Sequence, residues 1–401
     1  MFNFDFIYIF LNLLLLASFA YSGYQISKGA NYYQYGFVSI LTFTFILGLR
    51  YARGNDYLHY VDIYVHGYKE GSQLVFVWIN NILKLLGVGK YYVFLFYSFI
   101  EIVCAMIFLK RYRMYAQYLL PLFLMATIAF DEYQIRQALG FSFVLLCLDS
   151  LFRIKRLGHH FMDGGNKKYI LYTILYFTIA YSIHSVCGYM LVIMIGIYFF
   201  CRRTIPLVIS IPLLVLSTFF LSEWFDFGWL NPLLSQFAGE DRRMTGYIEN
   251  YENWFSLEGI NSIYERKPLV LLAEMLGTIS LYILGAKVIN RYAKRADAYA
   301  MYNYFVIGSI FLNAFRQLEL LNRIGGDFAL FWFFPLSLVL FYRKKIIKIR
   351  LISKITTVSY IKPLLDNKLN KVLVVFLFWY VYDYLKYLFM RGDMTKFIWD
   401  I

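Results

Sequence analysis

Apolar runs close to 20 residues long recur from one end of this sequence to the other, and that recurrence leaves few folds open. A helix needs about 20 apolar residues to cross roughly 30 Å of hydrocarbon. With 60% hydrophobic and only 16% charged residues in 401, the chain lacks the polar surface to cover a water-soluble globule of this size. The pattern predicts an all-α, polytopic integral membrane protein, a single transmembrane domain over 1–401. Its runs lie at 4–22, 33–49, 91–109, 115–130, 137–152, 169–183, 186–201, 204–221, 268–289, 299–315, 326–342 and 371–390, about twelve transmembrane helices in all. The first run follows no basic stretch, so it reads as a span and not as a cleaved leader.

The excess of Lys and Arg, 39 against 25 acidic residues, lies in short clusters between apolar runs. That arrangement argues against a nucleic-acid partner and for topology signals that contact anionic lipid. The clusters fall on alternate loops, which the positive-inside rule assigns to the cytoplasm. Both termini then face outward, as do 50–90 and the long extracytoplasmic loop at 222–267. These two loops form the rim of the expected active site. The segment 72–88 is apolar but broken by Asn80, Asn81 and Lys84, which suits an interfacial helix. Cys104, Cys147, Cys187 and Cys201 lie in or at the end of apolar runs without metal-ligand spacing. Neither a metal site nor a cofactor is expected from them.

Ionisable residues at membrane depth are costly and usually face a protein interior or a watery cavity. On the outer rim this topology gathers Arg50, Arg53, Asp56, Asp131, Glu132, Arg136, His184, the Glu240-Asp241-Arg242-Arg243 run of the long loop, Arg316, Glu319 and Arg323. Spacings of three and four put Arg316, Glu319, Arg323 and Asp327 on one face if a helix runs through them. Each arginine also has a plainer reading: an interfacial anchor for Arg50 and Arg53, or a salt bridge to Glu132, four residues back, for Arg136. Arginine is nonetheless informative, because its planar fork binds phosphate oxygens bidentately and stays charged. Such a set suits a lipid-linked diphosphate. A proton-coupled transporter would instead place carboxylates or histidines near mid-bilayer, where Glu101, Glu274 and Asp383 are the candidates. Asp56, Asp131, Glu132 and His184 compete as a general base, and Tyr57 and Tyr60 have rings that stack on sugar faces. The stretch His159-His160-Phe161-Met162-Asp163-Gly164 looks like an acyl-transfer motif one residue short, and lies in a basic inner loop away from the other candidates.

Arg50-Tyr51-x-x-Gly54-x-Asp56-Tyr57-x-x-Tyr60 after the second run resembles the signature of the EpsG family. Ile135-Arg136-Gln137, His184-Ser185 and Asn322-Arg323-Ile324 are similar to further recurring points of that family, in chain order. Gly325-Gly326-Asp327 departs from it, where an aromatic is expected shortly after Arg323. The resemblance implies a Wzy-like polymerase of the bacterial cytoplasmic membrane, assembling O-antigen, capsule or exopolysaccharide on the extracytoplasmic face. It implies glycosyl transfer between polyprenyl-diphosphate-linked oligosaccharides, with a chain-length regulator and a flippase as partners. On that reading Arg50, Arg53, Arg136, Arg316 and Arg323 bind diphosphate, Tyr57, Tyr60 and Gln137 meet the glycan, and Asp56 or His184 is the base. Arginines that stabilise the departing diphosphate make a metal ion unnecessary. The rival readings are an O-antigen-ligase-like or other lipid-diphosphate-sugar glycosyltransferase, a lipid-linked oligosaccharide flippase, and a membrane acyltransferase.

Overall fold

A computed structural model describes residues 6–54, 56–67, 73–154, 164–221, 267–316, 319–353, 368–389 and 396–400. The outer loop expected at 222–267 lies almost wholly outside them, as do His159 to Asp163. The described chain is helical and groups into two compact units. The first takes in Met1–Phe200, Leu336–Leu351 and Val381–Ile401, and the second Cys201–Pro335 and Ile352–Tyr380.

The first unit is built from α1 (Phe6–Ser27), α2 (Tyr32–Gly48), α3 (Tyr57–His66), α4 (Leu74–Leu85), α5 (Val93–Leu109), α6 (Ala116–Tyr133), α7 (Ile135–Leu151), α8 (Gly164–Ile183) and α9 (Ser185–Phe200). Asn31 starts α2 because its side chain accepts from the Tyr33 and Gln34 amides, at 2.9 and 3.4 Å, which would otherwise lack partners. α1 lies on α2 and α6, α2 on α5, and α5 on α7. Small polar groups bind these faces together, as is usual where lipid removes the hydrophobic drive between helices. Ser18 and Thr42 share a 2.7 Å hydrogen bond, Ser22 donates to the Tyr35 carbonyl at 2.8 Å, and Tyr32 donates to the Met106 carbonyl at 2.5 Å. The Tyr97 hydroxyl bonds Asn80 and so ties α4 to α5.

The second unit contains α10 (Leu207–Leu216), α11 (Pro268–Tyr292), α12 (Ala296–Ala314), α13 (Glu319–Ala329), the start of α14 (Phe333–Ser353) and α15 (Lys368–Phe376). A last helix, α16 (Phe378–Phe389), lies mostly in the first unit. In the second unit the Tyr282 hydroxyl meets the Val306 carbonyl at 3.0 Å and Ser309 at 2.6 Å, and Tyr302 donates to the Tyr282 carbonyl at 2.9 Å. α12 and α13 touch backbone to backbone: a Cβ on Gly325 would sit 2.5 Å from the Leu312 nitrogen.

The chain is a multi-pass membrane protein, but the expected count of about twelve spans is corrected. Among the described residues five stretches are long and apolar enough to cross: Phe6–Ser27, Val93–Tyr133, Pro268–Tyr292, Leu321–Arg343 and Asn370–Phe389. The runs at 91–109 and 115–130 belong to one of them. α2 and α7 have 17 residues each and α9 has 16, at or under the lower limit of length for a crossing. Nearly every residue of α7 is buried by protein, so its apolar run serves a core and not a lipid contact. The alternation that placed both termini outside needed all twelve spans and falls with them. α4, at 12 residues, is a short apolar helix within the expected 72–88.

Gly325→Val should force α12 from α13 and destabilise the protein by about 1–3 kcal/mol. Gly326→Ala is the control, since its Cβ would meet only the Leu312 side chain at 3.9 Å. Thermal melting in detergent should lower the midpoint of the first variant and leave the second near wild type.

Candidate functional site

The stretch after α2 folds against chain from far away. Tyr51 donates its amide to the Lys396 carbonyl and Ile398 donates to that of Leu49, both at 2.9 Å, and Arg50 pairs with Phe397 in an antiparallel bridge. The turn that follows uses left-handed backbone at Ala52 (φ 49°) and Gly54 (φ 83°). Ala52 is an uncommon place for a residue with a side chain. At Gly54 a Cβ would come 2.5 Å from the Glu132 carbonyl oxygen, so glycine is required both by conformation and by space.

Two arginines of this stretch point inward. Arg50 is 1% exposed. Its guanidinium donates to the Leu47 carbonyl at 2.7 Å, to Ser98 Oγ at 3.5 Å and to the Asp131 carbonyl at 3.2 Å. Leu47 and Asp131 lie in the last turns of α2 and α6, whose carbonyls have no partner within the helix. A cation there satisfies both ends and opposes both helix dipoles. Arg53 is 0% exposed. Its Nε donates to the Lys396 carbonyl at 3.1 Å, and its Nη1 pairs with Glu132 at 3.2 Å. Its guanidinium carbon stands 4.6 Å from the Tyr8 ring centre and 4.0 Å from that of Phe397, within cation–π range of both.

Arg136 is placed differently. The helix breaks at Gln134 (φ −112°, ψ 52°) between α6 and α7, so the four-residue spacing back to Glu132 is not helical. Glu132 pairs with Arg53. Arg136 instead starts α7, half-buried, donating to Gln73 Oε1, with the Tyr60 and Phe76 rings each 5.9 Å from its guanidinium carbon. Those rings belong to an aromatic cluster in which Tyr57 stacks on Phe94 at 4.1 Å and Tyr60 meets Phe76 edge-on at 5.8 Å. Tyr57 is fully buried, and burial pushes its phenol well above the ordinary range, with Arg50 opposing the shift. It stays neutral and serves as packing.

Gln137 is buried, and its carbonyl accepts from Cys187 Sγ at 3.7 Å. That contact brings the α8–α9 junction against α7. His184 occupies this junction, half-buried, its amide bonded to the Ala180 carbonyl at 3.0 Å, while Ile183 enters the aromatic cluster. Asp56 is half-buried at the start of α3, and its carboxylate does not cap that helix. The first unit therefore gathers Arg50, Arg53, Asp56, Tyr57, Tyr60, Arg136, Gln137 and His184 around α3 and the start of α7.

Arg316 and Arg323 belong to the second unit. Arg323 lies on α13, half-buried, with Asp327 buried one turn later. Arg316 falls beyond the end of α12 and is not on the α13 face expected for it; its carbonyl accepts from Asn322 at 3.0 Å. The partners that sequence reasoning missed are Gln73, Tyr8, Lys396 and Phe397. The last two lie more than 300 residues from the stretch they hold, and no local pattern marks them. Among the described residues no three His, Cys, Asp or Glu side chains converge to hold a metal ion.

Removing one partner of a buried ion pair strands the other charge. Arg53→Ala should therefore destabilise the protein by about 3–5 kcal/mol. Combining it with Glu132→Ala should recover much of that loss, a non-additivity read from melting of the two single variants and the double variant.

No curated protein and no solved structure matches the chain. The EpsG family does match, over residues 33–365, which takes in every arginine described above and excludes the 396–400 segment. Membership of that family is consistent with an enzymatic role in polysaccharide biosynthesis. This chain belongs to the EpsG family.

Proposed function

We propose that the protein is a glycosyltransferase of a bacterial cytoplasmic membrane, joining lipid-linked oligosaccharide units into a surface polysaccharide on the extracytoplasmic face. Family membership over 33–365 carries this reading, and the chemistry around Arg136 supports it. The substrate would be an oligosaccharide on a polyprenyl diphosphate. A terminal hydroxyl of one glycan attacks the anomeric carbon of another. A new C–O bond forms, the bond to the diphosphate breaks, and the diphosphate leaves with the electron pair.

Arg136 is the arginine of the first unit best suited to meet that leaving group. It is half-buried at the start of a helix, whose first-turn amides also favour an anion. Arg50 and Arg53 are engaged by helix-end carbonyls, by Glu132 and by aromatic rings. Their part in this reading is to hold the stretch 50–60 in shape rather than to grip substrate. Arg316 and Arg323 are proposed as phosphate ligands of the second unit, each to be tested alone. The hydroxyl proton goes to Asp56 or His184, the two half-buried bases of the group. Tyr60 and Gln137, both buried, would support from within the surface on which the glycan lies.

Purified protein given a defined lipid-diphosphate oligosaccharide should produce a ladder of longer glycans. Arg136→Ala at normal folded level should slow ladder growth about 10²–10³-fold, the loss typical of a donor aimed at developing negative charge. Arg136→Lys should restore only part, because a point charge lacks the fork. Transport of the labelled lipid across vesicles with no lengthening would overturn the polymerase reading.

A further inference from the structure

Glu101 has no part in the proposed glycosyl transfer, yet it lies halfway along α5 and is only 5% exposed. Both of its carboxylate oxygens are buried without a hydrogen-bond partner. It lines a cavity with Asp131 and Thr127 of α6 and Ser142 of α7, between apolar walls that include Phe43 and Phe123. The space open to a water-sized particle is about 10 Å³, room for one such particle.

The charges nearby do not balance. Glu132 is paired with Arg53. Among the described residues Arg50 is the arginine that acts on both Glu101 and Asp131, so these three carboxylates are set against two guanidinium groups. One negative charge is left in an apolar setting, where an uncompensated ion is costly. We propose that this cavity holds one monovalent cation, a proton or a sodium ion, at Glu101 with Asp131 as its neighbour. A single positive charge completes the balance, and the cavity admits nothing much larger than a bare ion or a water. Two carboxylates with two hydroxyls form a hard oxygen set suited to sodium, while either oxygen of Glu101 suits a proton. The other titratable groups facing Glu101 are Asp131 from α6, Arg50 from the end of α2, and Tyr97 and Cys104 on its own helix. α7 adds the Ser142 hydroxyl to the lining.

Thermal melting of the full chain tests this without reference to polymerase activity. Sodium chloride is compared with choline chloride at equal ionic strength, and each is scanned from mildly acidic to mildly alkaline pH. If sodium is the occupant, wild type melts higher in sodium at fixed pH, by about 2–4 °C. If a proton is the occupant, wild type ignores the salt and its melting point falls as pH rises above the ordinary carboxylate range, because the folded state binds the extra proton. In either case Glu101→Gln should abolish the dependence while melting at least as high as wild type. Asp131→Asn, which removes the second negative charge, should weaken the same dependence and serves if Glu101→Gln does not fold. A wild-type melting point indifferent to both sodium and pH, or a dependence that survives these substitutions, overturns the proposal.

Discussion

The Arg53–Glu132 ion pair is the contact on which the first unit's architecture turns. Two fully buried charges at 3.2 Å persist only if everything around them is in place. Here that requires Tyr8 of α1, the turn before α3, the last turn of α6 and the 396–397 segment at once. Gly54 lets the turn lie against the Glu132 backbone, and Arg50 closes the ends of α2 and α6 from beside it. One guanidinium thus gathers four pieces of chain that are remote in sequence. The 396–397 piece lies outside the region matched by the family, so in this chain the family's stretch is held by a segment beyond it.

This changes what a cluster of arginines means. Clustering on one stretch suggests a shared job, but burial separates the members. Arg50 and Arg53 are surrounded by carbonyls, a carboxylate and ring faces, which occupy the Nη1 and Nη2 donors of Arg50 and the Nε and Nη1 donors of Arg53 that a phosphate would otherwise take. Arg136, one helix break away, keeps part of its surface open at the start of α7. Residues of one signature stretch can therefore differ in role, since some of them fix the backbone from which others project.

Much of this was legible in the chain itself. Long apolar runs gave the helices, and α1, α2, α5, α6 and α7 fall close to the runs that predicted them. The count of spans was not legible, because a run such as α7 reads alike whether lipid or protein covers it. Nor could spacing give the partner of Glu132. Arg136 lies four residues on, the distance of a helical pair, and only the break at Gln134 removes that geometry. Glu132 reaches Arg53, and Arg53 reaches Lys396, pairings set by tertiary packing with no local trace. Glu101 was visible as a carboxylate in an apolar run, but its two unpartnered oxygens and its cavity emerge only from the packed helices.

On this reading Arg53 serves the fold and Arg136 the chemistry. The most direct measurement replaces the buried pair by a neutral one, Arg53→Met with Glu132→Gln, and follows melting temperature and glycan length together. Methionine keeps contact with the Tyr8 and Phe397 rings, and no charge is left stranded. A folded protein that still makes long glycan is the result expected here. A protein that melts like wild type but makes no polymer would contradict the account, since Arg53 would then be needed by the substrate and not by the fold.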